Sequence, residues 1–222
     1  MSVPSFFNDF AKISEPVTPA DKEILNKIAL VAIGSKGIGS DVEKQKIALI
    51  ITESVIQVSE TKNGKHKVDL DFIKIEKKAG GEVLDTELIR GVLVDKEIVH
   101  AGMPKSIKGA KLLLLDAALE IEKTETDAKI EINSPDKMEA FLHQEEKMMK
   151  DMVEKIAATK ASIVFCQKGV DDLVQHFLAK KGISAVRRVK KSDMEKLSRA
   201  TGGIVASTLE DLKETDHGAA GL

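Results

Sequence analysis

The chain has 222 residues, 42% of them hydrophobic, which is enough for one large core or two smaller ones. Its 34 Lys and Arg nearly balance 36 Asp and Glu, and it has seven Phe but no Trp or Tyr. Balanced charge and few rings for base stacking argue against a nucleic-acid partner. The single cysteine, the lack of a secretory signal and the short apolar runs predict a cytoplasmic protein without a membrane partner.

The first elements predicted along the chain are two helices. Residues 1–17 contain two prolines and no sustained period, and we expect an extended lead-in. Thr18 as N-cap and Pro19 at the first helical position predict a helix that ends at Gly34. A second amphipathic helix is predicted from Asp41 to about Val58, so the two helices should form a hairpin.

A change of pattern marks a domain boundary near Lys77. Before it, Asn63-Gly64 predicts a turn and the run FIKIE predicts a half-buried strand. We assign residues 18–76 to a small helical domain and residues 77–210 to a larger one. The larger domain begins with four short β-like runs, ELIRGVLV, KEIVH, KLLLL and ALEIEK.

An unusually long helix follows. Ser134-Pro135-Asp136 is a strong helix start, and a helix from Pro135 to Lys160 would be about 39 Å long. We expect its second half to pack in the core. Core packing is also the ordinary interpretation of the other apolar residues of the helix. A helix of this length should nevertheless leave part of its apolar surface exposed, and methionine-rich surface adapts to varied partners. The apolar residues of the helix are Met138, Phe141, Leu142, Met148, Met149 and Met152, and some of the first three are expected to lie outside the core.

The remaining segments alternate in the order βαβαβ. The strands are ASIVFC, ISAVRRV and IVAS, and the first intervening helix, DDLVQHFLAKK, ends at Gly182. The second helix is predicted to begin at Ser192, which forms a capping-box pattern with Glu195. Residues 211–222 are predicted to be a truncated tail.

Several residues invite a site interpretation that the spacing does not support. Gly34, Gly37 and Gly39 suggest a phosphate loop, but they follow a helix and match no phosphate-binding motif, so an interhelical turn is favoured. Cys166, at a predicted strand end, with His176 on the next helix, suggests a Cys–His nucleophile, whereas a small core residue is commoner.

Metal and anion binding are equally weakly supported. The five histidines are scattered singly, without the spacing of metal ligands. The basic run at Arg187, Arg188, Lys190 and Lys191 is interpreted as a solvated strand end. The pattern therefore predicts neither a catalytic residue nor a metal ligand.

Successive segments resemble the group II chaperonins of the archaeal thermosome type. The runs ELIRGVLVDKEIVHAGMPK, EIEKTETDAKI, QEEKMMKDMVEKI and FCQKGVDDLVQHFLAKKGI, followed by AVRRVKKSDMEKLSRATG, are similar to family signatures in the same order. They cover most of residues 70–210 and match the apical domain. The run PVTPADKEILNKIALVAIGSKGIGSDVEKQKIALIITESVIQV resembles the first half of the intermediate domain.

The resemblance implies an α/β fold: a swivelling β/β/α apical domain with a long protruding helix, beside a partial α+β intermediate domain. The protrusion would span Ile132 to Met148, and the helix from Asp171 to Lys181 would face the cavity. The implied substrate contacts are Ile132, Met138, Phe141, Leu142, Met148, Val174, Gln175, Phe177 and Leu178.

The family hydrolyses ATP with Mg²⁺, but its nucleotide-binding segments match no part of this sequence. The resemblance therefore implies no cofactor and no enzymatic activity in this chain. One hypothesis is a binding module for unfolded or partially folded proteins. The alternative is an accessory or partial subunit that associates with full-length chaperonin rings, with other chaperonin subunits as partners.

Overall fold

The computed structural model describes residues 12–121 and 135–221, and its two compact units divide between Arg90 and Gly91. The predicted boundary, near Lys77, lies earlier in the chain. The difference arises because the segment around a short 3-10 helix, Val83–Asp85, belongs with the helix pair. The Lys46 ammonium donates a hydrogen bond to the backbone carbonyl within that segment.

In the first unit, helix α1 spans Lys22–Gly34 and helix α2 spans Asp41–Gln57. The predicted start of α1 at Thr18 is wrong because the Asp21 carboxylate accepts two hydrogen bonds from Thr18, each 2.8 Å, which close a turn ahead of the helix. The predicted start of α2 is confirmed. A capping box between Ser40 and Glu43 fixes it.

A hairpin of strands β1 (Ser59–Lys62) and β2 (Lys65–Val68) follows α2. Its turn residues Asn63 and Gly64 both have positive φ, 54° and 73°, which confirms the predicted turn. The predicted strand at FIKIE is wrong. Only Phe72 of this run lies in a regular element, the 3-10 helix Leu70–Phe72, and residues 73–76 pair with no strand among the described residues. The Asp69 side chain accepts from the backbone N–H of Asp71 at the start of that helix.

The second unit is built on a parallel sheet, and the predicted βαβαβ order is confirmed. Its strand order is β5-β4-β3-β6. The strands are β3 (Ala110–Leu115), β4 (Ile163–Cys166), β5 (Ser184–Val186) and β6 (Val205–Ala206), and the connecting helices are α3 (Pro135–Ala158), α4 (Asp172–Lys180) and α5 (Lys191–Thr201).

The central strand β3 carries apolar residues on both faces. Leu113 and Leu115 pack in the core formed with α3 and α4, whereas Leu112 and Leu114 pack on the other face, with α5. Helices therefore cover the sheet on both sides, as in doubly wound α/β folds.

Other local predictions need correction. Within the described residues, KLLLL is the only one of the four β-like runs that forms a strand. In ELIRGVLV, Val92 and Val94 pack on the core from an irregular segment. Isolated bridges join Ile98 of KEIVH to Val186 and Leu119 of ALEIEK to Val170, and the last two residues of ALEIEK lie outside the described residues. Helix α5 begins one residue before Ser192, with Lys190 as an N-cap that makes no side-chain capping bond.

The end of the chain belongs to the sheet. Strand β7, Gly218–Ala220, pairs antiparallel with β3, so the predicted domain end at residue 210 and tail at 211–222 are wrong for this segment. Glycine allows the close approach: a Cβ on Gly218 would lie 2.0 Å from Thr201 Oγ1, which itself donates a 2.7 Å bond to the Leu197 carbonyl.

We expect Gly218→Ala to lower the free energy of unfolding by about 1–3 kcal/mol, because the added methyl collides with Thr201 and forces β7 from its place. Urea unfolding measures the change. Gly221→Ala is the matched control, since a Cβ there meets nothing within 4 Å. Equal unfolding midpoints for the two variants would contradict the packing role.

Candidate functional site

Helix α3 carries one apolar strip whose two ends have different environments. Near the C-terminal end, Met149, Val153 and Ile156 are at most 7% exposed. Near the start, Met138 and Leu142, which continue the same helical face, are 47% and 56% exposed. The strip is therefore a core element at one end and an accessible apolar surface at the other.

Two further apolar side chains widen this accessible surface. Phe141 and Met148 are 38% and 45% exposed, on the flank of α3 next to the strip. We call Met138, Phe141, Leu142 and Met148 the apolar tip. The predicted exposure of Met138, Phe141 and Leu142 agrees with the structure, and Met148, a substrate contact implied by the resemblance, is also exposed. Ile132, the fifth residue predicted for the protrusion, lies outside the described residues.

Ion pairs hold the second half of α3 against the body of the unit. Lys181, at the C-terminal end of α4, pairs with Glu154 at 2.7 Å, and Lys155 pairs with Glu210 at 3.0 Å. The Lys155 ammonium lowers the pKa of the Glu210 carboxyl through their hydrogen bond. Both partners of α3 thus contact it near its C-terminal end.

The 24 residues of α3 correspond to about 36 Å, against nine residues, or about 14 Å, in α4. Lys150 of α3 lies 5.4 Å from the ring centroid of Phe177 in the middle of α4. Both helices connect parallel strands, so they run in the same direction. Helix α4 therefore lies beside only the later turns of α3. The first turns of α3, with Met138, Phe141 and Leu142, therefore extend past the N-terminal end of α4.

The predicted contacts on α4 need correction. Val174, Gln175 and Leu178 are at most 5% exposed, so their side chains are not available to a ligand in this structure. Gln175 is occupied, because its amide donates to the Val170 carbonyl at 2.9 Å. Of the four predicted residues, only Phe177 is partly exposed.

The accessible apolar residue of α4 that sequence reasoning missed is Leu173, which is 44% exposed. His176 is exposed beside it, with ring neighbours His100 and Phe177 each at 6.0 Å. The sequence run Leu173-Val174 and Phe177-Leu178 offers two adjacent apolar rows. Nothing in the run itself indicates which row the sheet covers.

Cys166 fills a core position at the end of β4. Its thiol donates to the Ala117 carbonyl at 3.2 Å, and burial raises its pKa to about 11. A thiol with this pKa is almost entirely protonated at neutral pH and is a poor nucleophile. The structure therefore favours a packing role for Cys166 over the Cys–His interpretation.

We expect Cys166 in the folded chain to react with iodoacetamide far more slowly than in the chain unfolded in urea at pH 8. Only the unfolded thiol, with its ordinary pKa near 8.5, supplies much thiolate at that pH. Mass spectrometry follows the alkylation. Similar rates for the folded and unfolded chains would contradict the buried, protonated state.

The glycine-rich segment between α1 and α2 is a turn around a helix cap. Gly39 has φ +40°, and a Cβ there would lie 2.0 Å from the Glu43 carboxylate. That carboxylate accepts from the backbone N–H and the hydroxyl of Ser40, which lower its pKa. The protein's own carboxylate thus occupies the position that a phosphate would take, which favours the interhelical-turn interpretation.

The described ranges, 12–121 and 135–221, contain no group of three or more His, Cys, Asp or Glu residues arranged to hold a metal ion. In the same ranges, no helix combines the length and the apolar character required to span a membrane.

The TCP-1/cpn60 chaperonin family matches residues 3–222, and the chain belongs to this family. It is 55% identical over 210 residues to a thermosome subunit of Pyrococcus horikoshii, and 52% identical over 211 residues to a thermosome subunit beta of Saccharolobus solfataricus. Each alignment covers 95% of this chain and 38% of the relative. The predicted resemblance to archaeal thermosome subunits is confirmed.

A solved structure supports the same relationship. The open-state monomer of a group II chaperonin from Methanococcoides burtonii matches with a TM-score of 0.74 and 36% identity. The match covers 98% of this chain and 48% of that one. The chain thus spans less than half the length of these chaperonins.

Proposed function

We propose that this chain binds unfolded or partially folded polypeptide in the cytoplasm, through the apolar tip of α3, as the substrate-capturing part of a group II chaperonin. The observation that carries the proposal is the accessible half of the α3 strip, with Met138 and Leu142 about half exposed. A contiguous apolar patch beside charged residues is typical of interaction surfaces. Flexible methionine side chains suit it to clients of different shapes.

The proposed binding is passive. It uses apolar contact alone, and no phosphate-loop motif occurs in this sequence. We therefore propose that the chain needs neither ATP nor Mg²⁺ to hold a client, and that it is not itself an enzyme. Client release would then follow the ordinary equilibrium of an apolar contact rather than nucleotide turnover.

We expect the combined change of Met138, Phe141 and Leu142 to Ser to abolish most of the chain's ability to slow aggregation of a test protein diluted from guanidinium. The change removes apolar area that a client would cover. Light scattering measures aggregation. Hydrogen exchange across residues 138–152, with and without client, reports whether the tip becomes protected.

The matched control changes Ile24, Ile28 and Val31 of α1 to Ser, since these are also exposed apolar residues on a helix, 37%, 56% and 79%. It should retain full protection of the test protein. Protection that survives the α3 changes and is lost with the α1 changes would refute the assignment to α3. Addition of ATP and Mg²⁺ should leave protection unchanged.

A second candidate function is association with full-length chaperonin rings, and the exposed face of α1 favours it. Ile24, Ile28 and Val31 line one side of this helix, spaced as i, i+4 and i+7, with Lys27 at the border. In a helix of a globular protein such a face is usually covered. A longer subunit of the same family would offer the surface to cover it.

We expect, for this second function, that the chain migrates with a full-length thermosome ring in size-exclusion chromatography. The Ser variants of Ile24, Ile28 and Val31 should weaken that association, because they remove the apolar face. If the unmodified chain elutes separately from the ring at micromolar concentration, association with the ring is excluded as a function.

A further inference from the structure

Two loops at one edge of the sheet of the second unit carry a cluster of cations. The backbone N–H of Arg188 donates to the Lys168 carbonyl at 3.0 Å, and that of Val189 to the Cys166 carbonyl at 3.0 Å. These bonds hold the loop after β4 beside the loop after β5. We call the exposed cations of the two loops the basic edge, and they are Lys168, Arg187, Arg188, Lys190 and Lys191.

The basic edge rests on a rigid base. Val189, between the cations, is 1% exposed and packs in the core with Met194 and Leu197. Arg188 has φ +54°, a conformation that costs energy for a non-glycine residue and needs support from its surroundings. A buried valine and two loop-to-loop bonds provide that support, so the cations are presented from a fixed backbone.

The neighbouring carboxylates neutralise only part of this charge. Asp172 lies 3.9 Å from Arg187, and Asp116 lies 4.0 Å from Lys168, both at the limit of an ion pair. Asp171 accepts from the backbone N–H of Leu173 as the N-cap of α4. Glu120 packs against the loop after β4, and Asp193 is buried at the start of α5.

Three members of the cluster have no carboxylate within 4 Å among residues 12–121 and 135–221: Arg188, Lys190 and Lys191. Lys190 and Lys191 also stand at the N-terminal end of α5, whose N-cap makes no side-chain bond. The partial positive charge of a helix start adds to theirs. Glu195, four residues after Lys191 on α5, is a further exposed carboxylate, but it forms no ion pair with the three cations. This part of the edge therefore carries positive charge that is not ion-paired.

The basic edge lies on the same side of the sheet as the apolar tip. Lys168 and Arg187 follow the carboxyl ends of the parallel strands β4 and β5. Helix α3 enters β4 from the opposite end, so its first turns extend beyond the carboxyl ends of those strands. A polypeptide bound to the tip would have its flanking residues near these cations.

We propose that the basic edge binds acidic segments, the carboxylates of Asp and Glu, in the same polypeptides whose apolar segments bind the tip of α3. This inference rests on the proposed function and adds the charge of the preferred client. Charge complementarity supports it, and arginine and lysine on a fixed backbone are suited to carboxylates. A nucleic-acid ligand is less favoured, because the chain has no Trp or Tyr for stacking on bases.

We expect Arg188→Asn, Lys190→Gln and Lys191→Gln, combined in the full chain, to weaken binding of a labelled peptide whose apolar centre is flanked by Glu residues. Loss of three exposed charge contacts predicts a decrease of about threefold or more in affinity. Asn is chosen at position 188 because it tolerates positive φ. Fluorescence anisotropy at low and high salt measures the affinity, and the difference should disappear as salt screens the charges.

The controls separate this inference from the proposed function. A peptide with Gln in place of each Glu should bind the unmodified chain and the variant equally. Lys105→Gln, Lys108→Gln and Lys213→Gln, which remove the same charge from exposed sites elsewhere in the second unit, should leave the Glu peptide bound as before.

Two results would refute the binding of acidic segments at the basic edge, but not client binding at the apolar tip. One is equal binding of the two peptides by the unmodified chain, and the other is an equal loss of affinity for the Glu peptide in both triple variants. Failure of both peptides to bind would instead refute the proposed function itself. Single-stranded DNA that binds more tightly than the Glu peptide, and is lost in the Arg188, Lys190 and Lys191 variant, would assign the cations to nucleic acid and overturn the inference.

Discussion

The second unit depends on the burial of strand β3 on both faces. Leu113, Leu114 and Leu115 are fully buried, and helices cover the sheet from either side because alternate leucines point to opposite layers. This arrangement anchors the last turns of α3 against the sheet, where Val153 and Ile156 pack. The start of α3 is exposed, whereas its C-terminal turns pack against the sheet.

The proposed site separates two kinds of attraction. Apolar contact at the tip is non-directional and tolerant of shape, whereas the cations of the basic edge favour one sign of charge. The tip residues project on a helix, while Arg188 and Lys190 stand on a backbone supported by buried Val189. A client would therefore be selected by composition, an apolar segment with acidic neighbours, and not by one sequence.

The sequence predicted the elements that have local stop signals and missed those that depend on neighbours. Gly182 and Gly202 end α4 and α5 with positive φ, and Asn63-Gly64 makes the hairpin turn, so these boundaries could be predicted. Strand β7 has only Gly-Ala-Ala, without an apolar pattern, and it forms because Gly218 fits beside Thr201. Likewise, Val174 and Leu178 of α4 are buried because their face of the helix packs on the sheet. The exposure of Met138 and Leu142 could be predicted from helix length alone. The exposure of Leu173 could not be predicted without knowing which face of α4 the sheet covers.

The attachment of α3 by one end gives it the mechanics of a cantilever. Met149, Val153 and Ile156 are buried in the core, and Met138 lies about 16 Å along the axis before Met149. A tilt of about 5° at Met149 would displace Met138 by about 1.4 Å. A small tilt of the buried turns would therefore move the apolar tip without unfolding any of the helix.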